Sequence, residues 1–116
     1  MYDRELLDRN LHPTNRGEMR DADVQASLKN ASCGDELTVF LRVKNGVIID
    51  GAWEGKACAI SQASADLFID MVRGKKAQEA KELNWTSVPE LESVKMMPAR
   101  VKCAELPYKI LDELNY

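Results

Sequence analysis

Three cysteines, Cys33, Cys58 and Cys103, and one aspartate, Asp35, carry the chemistry this chain is able to do. Each cysteine falls at a junction between elements. Cys33 opens Cys33-Gly34-Asp35, where glycine permits a tight turn and lets the thiol and the carboxylate face one point. Cys58 follows Glu54-Gly55-Lys56-Ala57 and opens a long helical pattern. There the helix dipole lowers a thiol pKa and favours thiolate. Cys103 follows Pro98-Ala99-Arg100-Val101-Lys102, and Arg100 and Lys102 favour the thiolate further. The intervals between successive cysteines are 25 and 45 positions, with no C-x-x-C pair. Spacing alone is therefore a weak metal signal. Free cysteines also serve as small buried hydrophobes, but the junctions, the neighbouring Asp35 and the basic residues favour a site.

If the three thiols and Asp35 converge, they form a Cys₃Asp set suited to tetrahedral zinc or to an iron–sulfur cluster. The carboxylate is then a hard ligand among soft ones and leaves first. That suits a site that exchanges what it holds. His12, the only histidine, precedes Pro13 in a polar loop and reads as a solvated turn residue. Without a second histidine, Cys-His catalysis and Ser-His-Asp triads are disfavoured. Ser61 and Ser64 read as small packing residues on a helix, and Trp53 and Trp85 as packing aromatics. Lys75-Lys76 reads as a solvated helix start.

The elements that must position these groups follow from periodicity. Residues 2–11 have helical spacing through Tyr2, Leu6, Leu7 and Leu11, ended by Pro13. Residues 12–21 read as a loop and 22–29 as a weak strand. Leu37, Val39, Leu41 and Val43 alternate with Thr38, Phe40 and Arg42, and Asn45-Gly46 then predicts a type I′ hairpin turn into a strand over 47–54. Over 58–73, Ile60, Ala63, Leu67, Phe68, Met71 and Val72 form a helical stripe that Gly74 terminates. A second short helix is expected over 77–83, a short one within 85–97, and a last one over 104–114, with Pro107 in its first turn. The order predicts an α+β fold: a small antiparallel three-stranded sheet packed against several helices, with the metal site at one end.

The 116 residues make one domain, 1–116, with a modest core to which a bound metal adds stability. A net charge of −3 argues against nucleic-acid binding, which needs clustered Lys and Arg. No apolar run is long enough for a bilayer, and a chain charged from residue 3 does not open on a secretion signal. A cytoplasmic protein is expected, and three cysteines in a reducing compartment argue against a disulfide framework.

The same residues resemble a known pattern, that of the U-type iron–sulfur assembly scaffolds (the IscU, SufU and NifU N-terminal family). YDRELLDRNLHPTNRG, from Tyr2 to Gly17, is similar to the family's opening helix and its Asn-Pro-Arg-Asn-type loop. NASCGD, from Asn30 to Asp35, resembles the Asn-Pro-x-Cys-Gly-Asp signature. GKACAISQAS, from Gly55 to Ser64, resembles the second cysteine segment, and PARVKCAEL, from Pro98 to Leu106, the SufU-type third segment.

The resemblance implies a site formed by Cys33, Asp35, Cys58 and Cys103, a cysteine desulfurase as partner, and persulfide sulfur as input. The product is a transient 2Fe–2S cluster passed to apo-protein recipients. In the SufU branch the ion is Zn²⁺, and the protein is a zinc-dependent sulfurtransferase. The sulfur acceptor is Cys33 by analogy with that branch and Cys103 by analogy with IscU. Tyr2 is a partner or dimer contact by the same analogy, or a helix-start packing residue; homo-oligomerisation stays open. Lys102 stands where IscU-type members have histidine, which favours Cys₃Asp. Met96-Met97-Pro98-Ala99-Arg100 matches the IscU chaperone-docking motif poorly, and the 45-position interval is too short for the SufU insertion. The expected function is thus a cluster-assembly scaffold rather than an enzyme, with the zinc-dependent sulfurtransferase as the alternative. A structural zinc domain is a third reading, disfavoured by the carboxylate, since closed structural sites are usually Cys/His only.

Overall fold

Alternation and one turn sequence build the sheet. The computed structural model describes residues 4–30 and 34–114. Strands β1 (Val24–Asn30), β2 (Asp35–Lys44) and β3 (Val47–Lys56) pair antiparallel in the order β1-β2-β3. Leu37, Val39 and Leu41 are fully buried, while Gln25, Ser27 and Lys29 of β1 face solvent. Asn45 and Gly46 both take positive φ, 52° and 77°, as a type I′ turn requires. On the exposed face Glu36 stands between Lys29 and Lys56, an opposite-charge row across all three strands. The expected α+β architecture is the one observed.

Helix α1 (Arg4–Leu11) buries Leu6 at 2% exposure but leaves Leu7 at 42% and Leu11 at 69%. The expected stripe therefore narrows to one residue. Adjacent helical residues lie about 100° apart, so a two-turn helix docked along one line cannot bury both Leu6 and Leu7. Tyr2 lies outside the described residues.

Helix α2 (Ala59–Val72) is the hub. The predicted stripe is buried except for half-buried Met71, but so are Ser61, Ser64, Ala65, Asp66 and Ile69. The sheet, α1 and the C-terminal segments pack around it, and its small residues admit their close approach. Gly74 follows the helix at φ +89°, in the left-handed conformation that ends it.

The C-terminal third differs from expectation. Helix α3 (Ala77–Ala80) is one turn, and 85–100 folds as three 3₁₀ segments, two of them opened by Pro89 and Pro98. The last helix, α4 (Val101–Glu105), begins earlier than predicted and contains Cys103 rather than following it. It gives way to a 3₁₀ segment, Leu106–Glu113, that Pro107 opens. Proline lacks the N–H that would continue the α pattern. Trp53 and Trp85 pack in the core at 0% and 8% exposure, as expected.

One buried carboxylate holds the loop after α1. Asp66 is fully buried. Its Oδ1 accepts the Asn15 amide at 2.7 Å and the Trp53 indole N–H at 2.9 Å. Its Oδ2 accepts the Thr14 amide at 3.1 Å and the Arg9 guanidinium at 3.0 Å. The loop it fixes then bonds the outer edge of β3, with Trp53 N–H donating to Asn15 and Gly17 N–H donating to Trp53. Asp66→Ala leaves these buried donors unpaired, so it should destabilise the protein by about 3–5 kcal/mol in urea unfolding. A loss below about 1 kcal/mol would contradict this role.

Asp70 on the same helix also pairs with Arg9. Burial pushes its carboxyl up, but hydrogen bonds from Asn15 and Arg9 and the Arg9 charge outweigh that, holding it below the usual carboxylate value. A depressed folded-state pKa contributes stability above the unfolded pKa that is lost as pH falls through the folded one. Unfolding titrations below about pH 5 should therefore show a shallower stability loss for Asp70→Asn than for the unsubstituted protein. Parallel curves would contradict the expectation.

Candidate metal centre

The end of one hairpin and the start of α2 meet at the site. Asn30 and Asp35 are register partners that close the β1–β2 hairpin, and Gly34, at φ +71°, leads the chain into β2. Gly55, at φ +139°, lies where β3 runs back toward the same end. A Cβ there would collide with the Glu36 carbonyl, so only glycine lets β3 pass this close before turning to Cys58.

Cys58 is the N-cap of α2, with extended backbone (φ −68°, ψ 166°), and its Sγ accepts the Ser61 N–H at 3.5 Å. Asp35 is 3% exposed. Its Oδ1 accepts the Cys58 N–H at 2.8 Å and its Oδ2 the Ser61 hydroxyl at 2.7 Å. Burial pushes this carboxyl up, but the hydrogen bonds from Ser61, the Cys58 amide and the two thiols outweigh it, so its pKa lies below the ordinary value. The group is thus ionised at neutral pH. Cys103, on α4, is fully buried, and Asn30 Nδ2 lies 3.9 Å from its Sγ.

Ligand atoms of Asp35, Cys58 and Cys103 all lie within 4.8 Å of one another. Ligands around a tetrahedral ion with metal–sulfur bonds near 2.3 Å stand about 3.8 Å apart, so a small closure brings these three onto one ion. Soft sulfur donors and one carboxylate suit a thiophilic ion. Of the four expected ligands, the structure brings these three together; Cys33 lies outside the described residues. Arg100 stands at the N-cap position of α4 and is half-buried, and Lys102 is exposed on that helix. His12 is exposed, its amide closing α1 on the Asp8 carbonyl.

Sequence reasoning missed Ser61 and Asn30. Ser61 and Ser64 are not merely packing residues. The Ser61 hydroxyl reaches Asp35, and it also lies 3.2 Å from the Cys103 carbonyl; the Ser64 hydroxyl donates to the Ala104 carbonyl at 2.6 Å. A signal was present: Ser61 stands three residues after a helix-opening Cys58, where capping partners sit.

Such an α+β domain gathers two thiols and a carboxylate where a hairpin meets a helix, a donor set able to hold a metal ion. Comparison with known proteins gives the family. The NifU-like N terminal domain profile matches residues 1–113, and the chain belongs to that family. It is 36% identical to the iron–sulfur cluster assembly scaffold protein IscU of Thermotoga maritima, over 97% of this chain and 91% of that one. It is 28% identical to the zinc-dependent sulfurtransferase SufU of Bacillus subtilis, over 97% and 88%. A crystal structure of a SUF-system cluster assembly scaffold from Fervidobacterium islandicum superposes with a TM-score of 0.83 at 33% identity, covering 97% of this chain and 94% of that one.

Cys58→Ser replaces a sulfur donor by a hydroxyl at the helix start. It should weaken zinc binding by more than about 100-fold, beyond the loss from an outer contact. Chelator competition checks this, and unchanged affinity would remove Cys58 from the site.

Proposed function

We propose that this protein is an iron–sulfur cluster assembly scaffold, one domain over 1–116. It receives sulfur from a cysteine desulfurase, builds a 2Fe–2S cluster on Cys33, Asp35, Cys58 and Cys103, and passes it to apo-protein recipients. The convergence of Asp35, Cys58 and Cys103 from three distant stretches carries this reading. Cys33 completes the set because it is two residues from Asp35, a covalent reach of about 7 Å. The relatives named as scaffolds support the assignment.

Burial divides the thiols. Cys103 is fully enclosed and Cys58 half-buried, so Cys33 is the acceptor that this reading favours over Cys103. Its thiolate attacks the outer sulfur of the desulfurase persulfide. A new S–S bond forms as the old one breaks, the desulfurase cysteine leaves as thiolate, and Cys33 holds the persulfide with its proton. No external oxidant or reductant enters this step.

Three thiolates and a carboxylate carry four negative charges, which a doubly charged ion or cluster halves; Arg100 and Lys102 near Cys103 offset more. Asp35, the hard ligand, releases first. This reading places the protein in the cytoplasm, by its likeness to the IscU and SufU relatives.

A second reading, the zinc-dependent sulfurtransferase, is favoured by Lys102 in place of histidine before Cys103 and by the likeness to SufU. Zinc then organises the thiols, and Cys33 leaves it to take sulfur.

Anaerobic reconstitution with ferrous iron, cysteine and a desulfurase should yield the visible absorption and Mössbauer signature of a 2Fe–2S centre. Absence of both would overturn the scaffold reading. Transfer of radiolabelled sulfur that needs zinc and proceeds without iron would establish the second.

A further inference from the structure

Ser61 is fully buried and reaches all three of the gathered residues, yet it supplies no ligand of the Cys₃Asp set. Its Oγ lies 2.7 Å from Asp35 Oδ2, 3.2 Å from the Cys103 carbonyl oxygen and 3.6 Å from Cys58 Sγ. A hydroxyl has one proton to give, and it goes best to the short contact with the ionised acceptor. The other carboxylate oxygen takes the Cys58 N–H at 2.8 Å.

A carboxylate turns easily about its terminal torsion, which has no sharp rotamer wells. Donors from the start of α2 on both of its oxygens remove that freedom. From this geometry we infer that Ser61 is a positioning residue that fixes the rotation of the Asp35 carboxylate toward the two thiols. Through the same atom, Ser61 sits against the Cys103 backbone and the Cys58 thiol, so it sets the spacing at which the three groups meet. The inference rests on the metal-site reading of Asp35, Cys58 and Cys103. It concerns how the carboxylate is held, and applies alike to zinc and to a cluster.

Ser64 supplies the control. It is also fully buried on α2, and its hydroxyl also bonds a backbone carbonyl of α4, that of Ala104, rather than Asp35. Serine-to-alanine exchange removes a hydroxyl from a helix and leaves the helix intact.

The test measures zinc affinity by chelator competition, with the Co²⁺ absorption spectrum as a report of ligand geometry and denaturant unfolding of the metal-free protein as a report of stability. Ser61→Ala should weaken zinc about 10- to 100-fold and alter the Co²⁺ bands, as loss of an outer-shell partner does elsewhere. Ser64→Ala should leave affinity within about 2-fold while lowering unfolding stability to a similar degree. In an Asp35→Ala background, Ser61→Ala should have an effect below about 2-fold, because the group it positions is gone. Equal losses in both backgrounds, or equal losses for Ser61→Ala and Ser64→Ala, would reduce Ser61 to a structural hydroxyl and overturn the inference. No zinc binding by the unsubstituted protein would instead overturn the metal-site reading beneath it.

Discussion

Asp35 joins the last pair of a hairpin to the first turn of a helix through one buried carboxylate, accepting the Cys58 amide and the Ser61 hydroxyl. In an ordinary capping box the residue at the third helical position reaches back to the N-cap amide, and the N-cap side chain bonds the third amide. Here the second half is kept, since Cys58 Sγ takes the Ser61 N–H. The first half is handed to Asp35, on another strand, and Ser61 turns its hydroxyl to that same aspartate. Closing the helix end and closing the site are therefore one set of hydrogen bonds. The helix cannot begin at Ala59 in this way unless the hairpin delivers Asp35 to it.

That coupling explains why α2 is enclosed on nearly every side. A helix whose start is tied to β2 must lie against the sheet, and its other faces must then be covered. Ser61, Ala63, Ser64 and Ala65 are small enough for the backbone of α4 to approach, which is how the carbonyls of Cys103 and Ala104 reach the two serine hydroxyls. Further along, Asp66 repeats the device in reverse. There the helix supplies the carboxylate, and the Asn15 and Trp53 N–H groups come to it. The two aspartates hold the helix at its start and at its middle, and the position of Cys58 follows from that anchoring.

Much of this was legible in the sequence, for local reasons. The β2 alternation and Asn45-Gly46 specify a hairpin because side-chain period and turn dihedrals are properties of neighbours. Cys33, Asp35, Cys58 and Cys103 stood out by residue type and by junction position, and the family resemblance ordered them. The losses are non-local. Leu7 and Leu11 looked like core because periodicity marks an apolar face without saying whether anything covers it. The placement of Cys103 failed because the α-to-3₁₀ change at Pro107 depends on how the chain packs after it. Ser61 and Asp66 were passed over since a polar residue within a small or apolar helical stripe gives no sign of which distant donor or acceptor will meet it.

The burial of the ligands is graded, and the grading matters for exchange. Cys103, on α4, is fully enclosed, and the Asp35 carboxylate is held from the helix side by two donors. Cys58 is half-buried, and Gly34, which precedes Asp35 on the hairpin connection, is exposed. Solvent therefore reaches the described part of the site from the hairpin end. A hard ligand with two protein hydrogen bonds loses less on leaving an ion than an unsupported carboxylate would, since it keeps its partners and stays charged in place. A fully enclosed sulfur ligand would have no such refuge. Under the proposed scaffold role, this arrangement separates a retaining side, formed by Cys103 and the helix, from an exchanging side, formed by the hairpin, and a carrier of labile cargo needs both.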